Sequence, residues 1–189
     1  MPLSALTRST LLDAARHSIR QSLDGKPVAF SHRNGDPVLH AVRASFVTLK
    51  RRGALRGCIG NLDAKQELLE DVMQNAKLAA FHDPRFPPLE AAELQDLHIE
   101  ISVLSGSEPV AACNRDELLH ALRPGTDGVI VQEGPRRATF LPAVWASLSD
   151  PGEFYAQLMC KAGLSASHWS PALRFFRYQT ESFSAGEQA

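Results

Sequence analysis

Along the first segment Leu11, Leu12, Ala15, Ile19 and Leu23 recur at three- and four-residue steps, with Asp13, Arg16, Arg20 and Gln21 between them. This spacing predicts an amphipathic helix over residues 7–23. Gly25, Pro27, Asn34, Gly35 and Pro37 then punctuate a loop. The β-branched and aromatic run over 41–50 reads as a strand, Arg51-Arg52-Gly53 as a turn, and 54–59 as the second arm of a hairpin. Leu68, Leu69, Val72, Met73, Ala76 and Ala80 predict a second helix over 64–80, with Asp63 as its N-cap. Strict alternation over 96–105 puts Leu97, Ile99, Ile101 and Val103 on a core face and His98, Glu100, Ser102 and Leu104 on the other.

Beyond residue 105 the signals are shorter. Asn114 with Glu117 caps a helix through Leu122, and 128–132 with 137–141 flank the turn Glu133-Gly134-Pro135-Arg136. Asp150 and Pro151 open a helix that runs to Ala162 and stops at Gly163. The stretch 172–183 reads as one last strand. Hairpins joined by helices, with little βαβ alternation, predict an α+β fold.

With 189 residues, 44% of them hydrophobic and 22% charged, the chain has ordinary globular composition and enough length for a sizeable core in one domain. Lys plus Arg number 20 against 21 Asp plus Glu, a net charge of -1. That balance gives no general attraction to phosphate backbones or anionic membranes, so no nucleic-acid or membrane partner is expected. Cys58, Cys113 and Cys160 stand at unrelated spacings that fit neither a zinc knuckle nor a disulfide framework. The start of the chain lacks a basic segment followed by an apolar run, so a reducing, cytoplasmic setting is expected.

One stretch carries candidate chemistry: Leu55-Arg56-Gly57-Cys58-Ile59-Gly60. On an ideal strand Arg56 and Cys58 share a face, about 6 to 7 Å apart. A nearby cation or a helix N-terminus favours the reactive thiolate form of cysteine, and the helix predicted after Asp63 would begin close by. The glycines would let a ligand approach the backbone at Gly57, Ile59 and Gly60. The alternative is that Cys58 is a small buried hydrophobe.

Read in order, Phe46-Val47-Thr48-Leu49-Lys50, the six-residue motif, Asp83-Pro84-Arg85-Phe86-Pro87-Pro88-Leu89, Ile99-Glu100-Ile101-Ser102-Val103-Leu104, Arg137-Ala138-Thr139-Phe140-Leu141-Pro142 and Phe175 with Arg177-Tyr178 closely resemble the AMMECR family. Its bacterial members are called AmmeMemoRadiSam system protein A. The resemblance spans about 12–183 and implies a single domain over 1–189, with a larger lobe holding an antiparallel sheet flanked by helices and a smaller lobe packed beside it. It also implies that the motif is an active or binding site, and that a Memo-type protein and a radical S-adenosylmethionine enzyme share the pathway. No cofactor follows from it. Leu49 stands where eukaryotic members more often carry Trp, and Cys113 and Cys160 match no family motif and read as structural.

On this footing Cys58 is a candidate nucleophile or redox thiol, with His82, or His98, as its base. Arg56 would orient a small polar or anionic molecule. Asp83 and Arg85 would pair and hold the proline-rich loop with Phe86 against the motif, Glu100 would pair with Arg56 or Arg85, and Thr139, Phe140 and Pro142 would form a wall. No metal-ligand spacing links Cys58, His82, Asp83, His98 and Glu100. The competing reading is a non-catalytic module that docks a protein partner through the same surface.

Overall fold

The computed structural model describes residues 2–185, which divide into two compact units, residues 2–104 with 181–185, and 105–180. In the first unit, helix α1 (Ala5–Leu23) starts at Ser4, whose side chain accepts from the Thr7 amide. Strands β1 (Ser45–Arg51) and β2 (Ala54–Gly60) form the expected hairpin. Its turn places Arg52 at φ 51° and Gly53 at φ 81°, both positive as a two-residue type I′ connection requires. Helix α2 (Leu68–Phe81) and strand β3 (Leu97–Leu104) follow.

Strand β8 (Thr180–Ser184) completes a sheet of order β2-β1-β3-β8. β1 runs antiparallel to both β2 and β3. Val47, Leu49, Ile99 and Ile101 turn one face of this sheet into a core with Leu11, Ala15 and Ile19 of α1 and Val72, Ala76 and Ala79 of α2. Phe46, Thr48 and Lys50 alternate onto the opposite face.

A buried polar network fixes α2 on this sheet. The Asp71 carboxylate accepts from the Ser45 amide and hydroxyl and from Asn75 through one oxygen, and from Asn61 and Gln66 through the other. Five donors satisfy a fully buried acid.

The second unit carries its own sheet, ordered β4-β7-β5-β6 and antiparallel throughout: β4 (Glu108–Val110), β5 (Gly128–Glu133), β6 (Arg136–Phe140) and β7 (Arg174–Tyr178). Helices α3 (Arg115–Ala121) and α4 (Pro151–Lys161) have the caps expected at Asn114 and Asp150. Trp145 stacks on Phe154 at 3.7 Å in its core, and its indole N-H donates to the Asp127 carbonyl.

Three expectations change. Strands over 174–178 and 180–184 replace the single strand predicted at 172–183, and they belong to different sheets. The helix predicted from residue 64 begins at Leu68, and Glu67 rather than Asp63 is its N-cap, with no side-chain capping bond. The reason is local: Glu67 bridges to Val42 and the Leu68 amide donates to the Ala41 carbonyl, so this stretch pairs as extended chain before it coils. Cys113 and Cys160 are both exposed, not packed inside.

Candidate functional site

Cys58 lies on β2, the edge strand of the first sheet, directly opposite Thr48. Its outward backbone groups are not left bare. The Cys58 N-H donates to Asp83 Oδ2 at 2.8 Å, and its carbonyl accepts from Arg85 Nη2 at 3.2 Å. Because both groups point away from β1, Thr48 and Cys58 form a non-hydrogen-bonded pair, the kind that brings side chains closest. The Thr48 hydroxyl accordingly donates to Cys58 Sγ at 3.3 Å.

Asp83 and Arg85 thus stand in for a neighbouring strand. Arg85 grips the Asp83 carboxylate with Nε at 2.9 Å and Nη2 at 2.7 Å, and its guanidinium sits 5.5 Å from the Phe86 ring centre. The Asp83 side chain is 2% exposed. The Arg85 hydrogen bonds, helped by the Cys58 amide and opposed by burial, hold this carboxyl well below the usual carboxylate range. The expected pairing of the proline-rich loop with the motif is therefore what the chain makes.

Arg56 departs from its expected place. The β1–β2 register pairs Leu49 with Gly57 and Lys50 with Leu55, skipping Arg56. Such a bulge cancels the simple i, i+2 relation between Arg56 and Cys58. The Arg56 side chain, 11% exposed, instead makes a two-pronged ion pair with Glu93 at 2.9 Å on both arms. Glu93 also accepts from Arg51 and from the Glu90 amide. The Arg56 hydrogen bonds pull the Glu93 carboxyl down to about 2. One donor of Arg56, Nη1, is buried without a recorded partner.

The helix beside the motif is turned the other way from the sequence expectation. Residues 79–83, at the C-terminal end of α2, lie against β2, whereas its N-terminus pairs with residues 41 and 42. The motif meets the negative end of the helix dipole, so it lacks the contribution that was expected to favour an anion. The glycines have a different use as well. A Cβ on Gly57 would lie 2.1 Å from the Ala79 carbonyl oxygen, and one on Gly60 would lie 2.3 Å from the Phe46 ring. Both serve close approach of the chain to itself rather than to a ligand.

The other candidates are dispersed. His82 is exposed at the end of α2, and the hydrogen bonds to the Cys58 sulfur include none from His82 or His98. Glu100 faces Thr48 across the sheet, in the same row as Cys58, but its ion pair is with Lys50 at 2.7 Å rather than with Arg56 or Arg85. Ile59 packs on the first core, so its side chain faces away from Cys58. Thr139 belongs to the second unit, where its hydroxyl donates to the Val129 carbonyl and pairs with the Tyr178 hydroxyl. Burial pushes the Tyr178 hydroxyl up to about 12. Among the described residues, no group of three or more His, Cys, Asp or Glu is placed to hold a metal ion, and no helix is long and apolar enough to cross a membrane.

Sequence reasoning missed Glu93 as the partner of Arg56 and Asp71 as the network's centre. Glu90 with Glu93, three residues apart, was the signal for the first, because it makes a reciprocal capping pair.

These features define an α+β protein with a free cysteine on a clamped sheet edge. The AMMECR1 family model matches residues 12–183, and the chain belongs to that family. A protein of Methanothermobacter thermautotrophicus is 35% identical over 184 residues, covering 96% of each chain. One from Thermofilum pendens is 34% identical over 193 residues, covering 96% of this chain and 91% of its own. The crystal structure of an uncharacterized protein from Pyrococcus horikoshii superimposes with a TM-score of 0.85 at 31% identity, over 93% of this chain and 90% of that one.

Proposed function

We propose that this chain is a binding module that docks a protein partner through the sheet face and edge around Cys58, and that it performs no covalent chemistry with that thiol. The observation that carries the reading is the commitment of the charged candidates Arg56, Asp83 and Glu100 to partners within the chain. Arg56 is held by Glu93, Asp83 by Arg85 and the Cys58 amide, and Glu100 by Lys50. A cysteine nucleophile needs a base in hydrogen-bond reach, and the sulfur's partners are the Thr48 hydroxyl and the Arg85 guanidinium, neither of which is a base. The face itself offers Phe46, Thr48, Lys50, Cys58, His98 and Glu100, a mixture of one aromatic and several polar groups that suits a partner better than a small buried substrate.

The partners implied by the family resemblance are a Memo-type protein and a radical S-adenosylmethionine enzyme, and free thiols on the surface fit a reducing cytoplasm. Calorimetric titration of the chain with the purified Memo-type protein of the same genome, and then with the radical enzyme, tests the reading. Saturable binding to one of them that survives Cys58→Ser and weakens at least about tenfold, or 1.4 kcal/mol, in Phe86→Ala is the expected result. Absence of binding to both overturns it.

The enzyme reading draws on two observations, the Thr48 hydroxyl donated to the sulfur and the Arg85 guanidinium beside it. It requires that Cys58→Ala abolish a turnover that Thr48→Val also slows.

A further inference from the structure

The second unit holds a cavity of about 600 Å³ beside the end of β4. Val110 is the last β4 residue to pair with β7, opposite Phe175, and the chain then leaves the sheet through Ala111, Ala112 and Cys113 toward the Asn114 cap of α3. That departing segment forms one wall of the cavity, and Trp169 with Phe175 forms another. The two rings lie nearly parallel, with 13° between planes, but their centres are 5.8 Å apart. Rings displaced this far overlap only in part and leave some of their faces uncovered. The volume falls within the range typical of small-ligand sites, about 300 to 1,000 Å³.

Alternation along β7 sorts the charges. Leu173 and Phe175 face the apolar cluster that Leu118 of α3 and Phe154 of α4 share, and Val110, Ala112 and Trp169 pack against that cluster. Arg174 projects from the other face, exposed, and its Nη1 turns back onto the Pro171 and Leu173 carbonyls. Glu117 comes from α3, on the side of the aromatic wall, and lines the cavity. Its carboxylate is fixed there: Oε2 accepts at 2.8 Å from the amide of Cys113, itself a wall residue, and Oε1 accepts at 2.9 Å from the Asn114 side chain. Each oxygen takes one of these bonds and keeps acceptor capacity for a cation. Trp169 is anchored as well. Glu133 accepts from His168 Nε2 at 3.0 Å and from the Ser170 hydroxyl, which pins the chain on both sides of the indole. A fixed carboxylate and uncovered aromatic faces in one cavity are the groups that recognise an organic ammonium ion.

We infer that this cavity binds an organic cation, a quaternary or N-methylated ammonium group on an apolar stem, with its charge on Glu117 and the Trp169 ring and its stem against Phe175. Such binding concerns the second unit alone and is independent of partner docking at Cys58. The probes are (4-hydroxyphenyl)trimethylammonium and its uncharged isostere 4-tert-butylphenol, titrated calorimetrically into the full chain at neutral pH. The expected result is one saturable site for the cation, weakened about fivefold in Glu117→Gln, with the uncharged isostere bound more weakly and equally by both proteins. Ala111→Phe, at an exposed wall position, should block both probes while circular dichroism stays unchanged. Absence of saturable cation binding at millimolar concentration, equal affinity of the parent chain for the two probes, equal loss of both in Glu117→Gln, or undiminished binding in Ala111→Phe overturns the proposal.

Discussion

Gly57 shows most plainly what the motif is built for. Any side chain there must occupy space held by the Ala79 carbonyl, since a Cβ would sit 2.1 Å from its oxygen, and helix backbone yields far less readily than a flexible side chain. Gly57→Ala should therefore cost about 2 to 3 kcal/mol by chemical denaturation, within the range for overpacking a core. Gly106→Ala, where nothing lies within 4 Å, should stay within about 0.5 kcal/mol of the parent. The two acids of this region give a second test. Asp83 and Glu93 are both held below their ordinary values, Glu93 to about 2, chiefly by hydrogen bonds from Arg85 and Arg56. Their unfolded values lie near about 4. A depressed folded value means that the stabilisation is complete above the unfolded value and is lost as pH falls through the folded one. Melting temperature should thus hold above about pH 5 and drop steeply toward pH 2. Glu93→Gln should lower the plateau and flatten the drop, which a series of thermal melts would read.

Among the elements, β2 is the one that needs protection, because an edge strand with bare N-H and C=O groups invites pairing with other chains. Asp83 and Arg85 cover those groups at Cys58. Asp83→Ala should cost about 2 kcal/mol, the usual penalty for stranding a buried partner of a charge-assisted hydrogen bond. It should also speed hydrogen exchange of the Cys58 amide and raise light scattering at high protein concentration; an unchanged exchange rate would show that the clamp does not guard the edge. Most elements were legible because their signals are local: apolar spacing over α1, alternation over β3, and the caps Asn114 and Asp150. What escaped depended on distant pairing. The extended stretch before α2 is set by residues 41 and 42, and β4 spans only Glu108–Val110, too short to show a period. The break that sends β7 and β8 to different sheets also leaves no periodic trace.

At the scale of the whole molecule, two units each close a four-stranded sheet over a separate apolar cluster, the first from helices α1 and α2 and the second from α3 and α4. The candidate site was legible as a set of residues and less so as an arrangement. Cys58, Asp83 and Arg85 do come together, but a bulge carries Arg56 to Glu93, and the helix end that meets the motif is the C-terminal one. Neither the bulge nor the direction of helix approach is encoded in local spacing. The thiols differ in setting too: Cys113 and Cys160 are exposed, whereas Cys58 is half-buried and hydrogen-bonded to Thr48. If Cys58 belongs to a binding surface and is not an activated nucleophile, that difference should govern its reactivity. Site-resolved alkylation with iodoacetamide at pH 7, followed by mass spectrometry of the three cysteine peptides, decides the matter. Cys113 and Cys160 should be modified first and Cys58 severalfold more slowly; modification of Cys58 ahead of both exposed thiols would contradict the binding-surface reading.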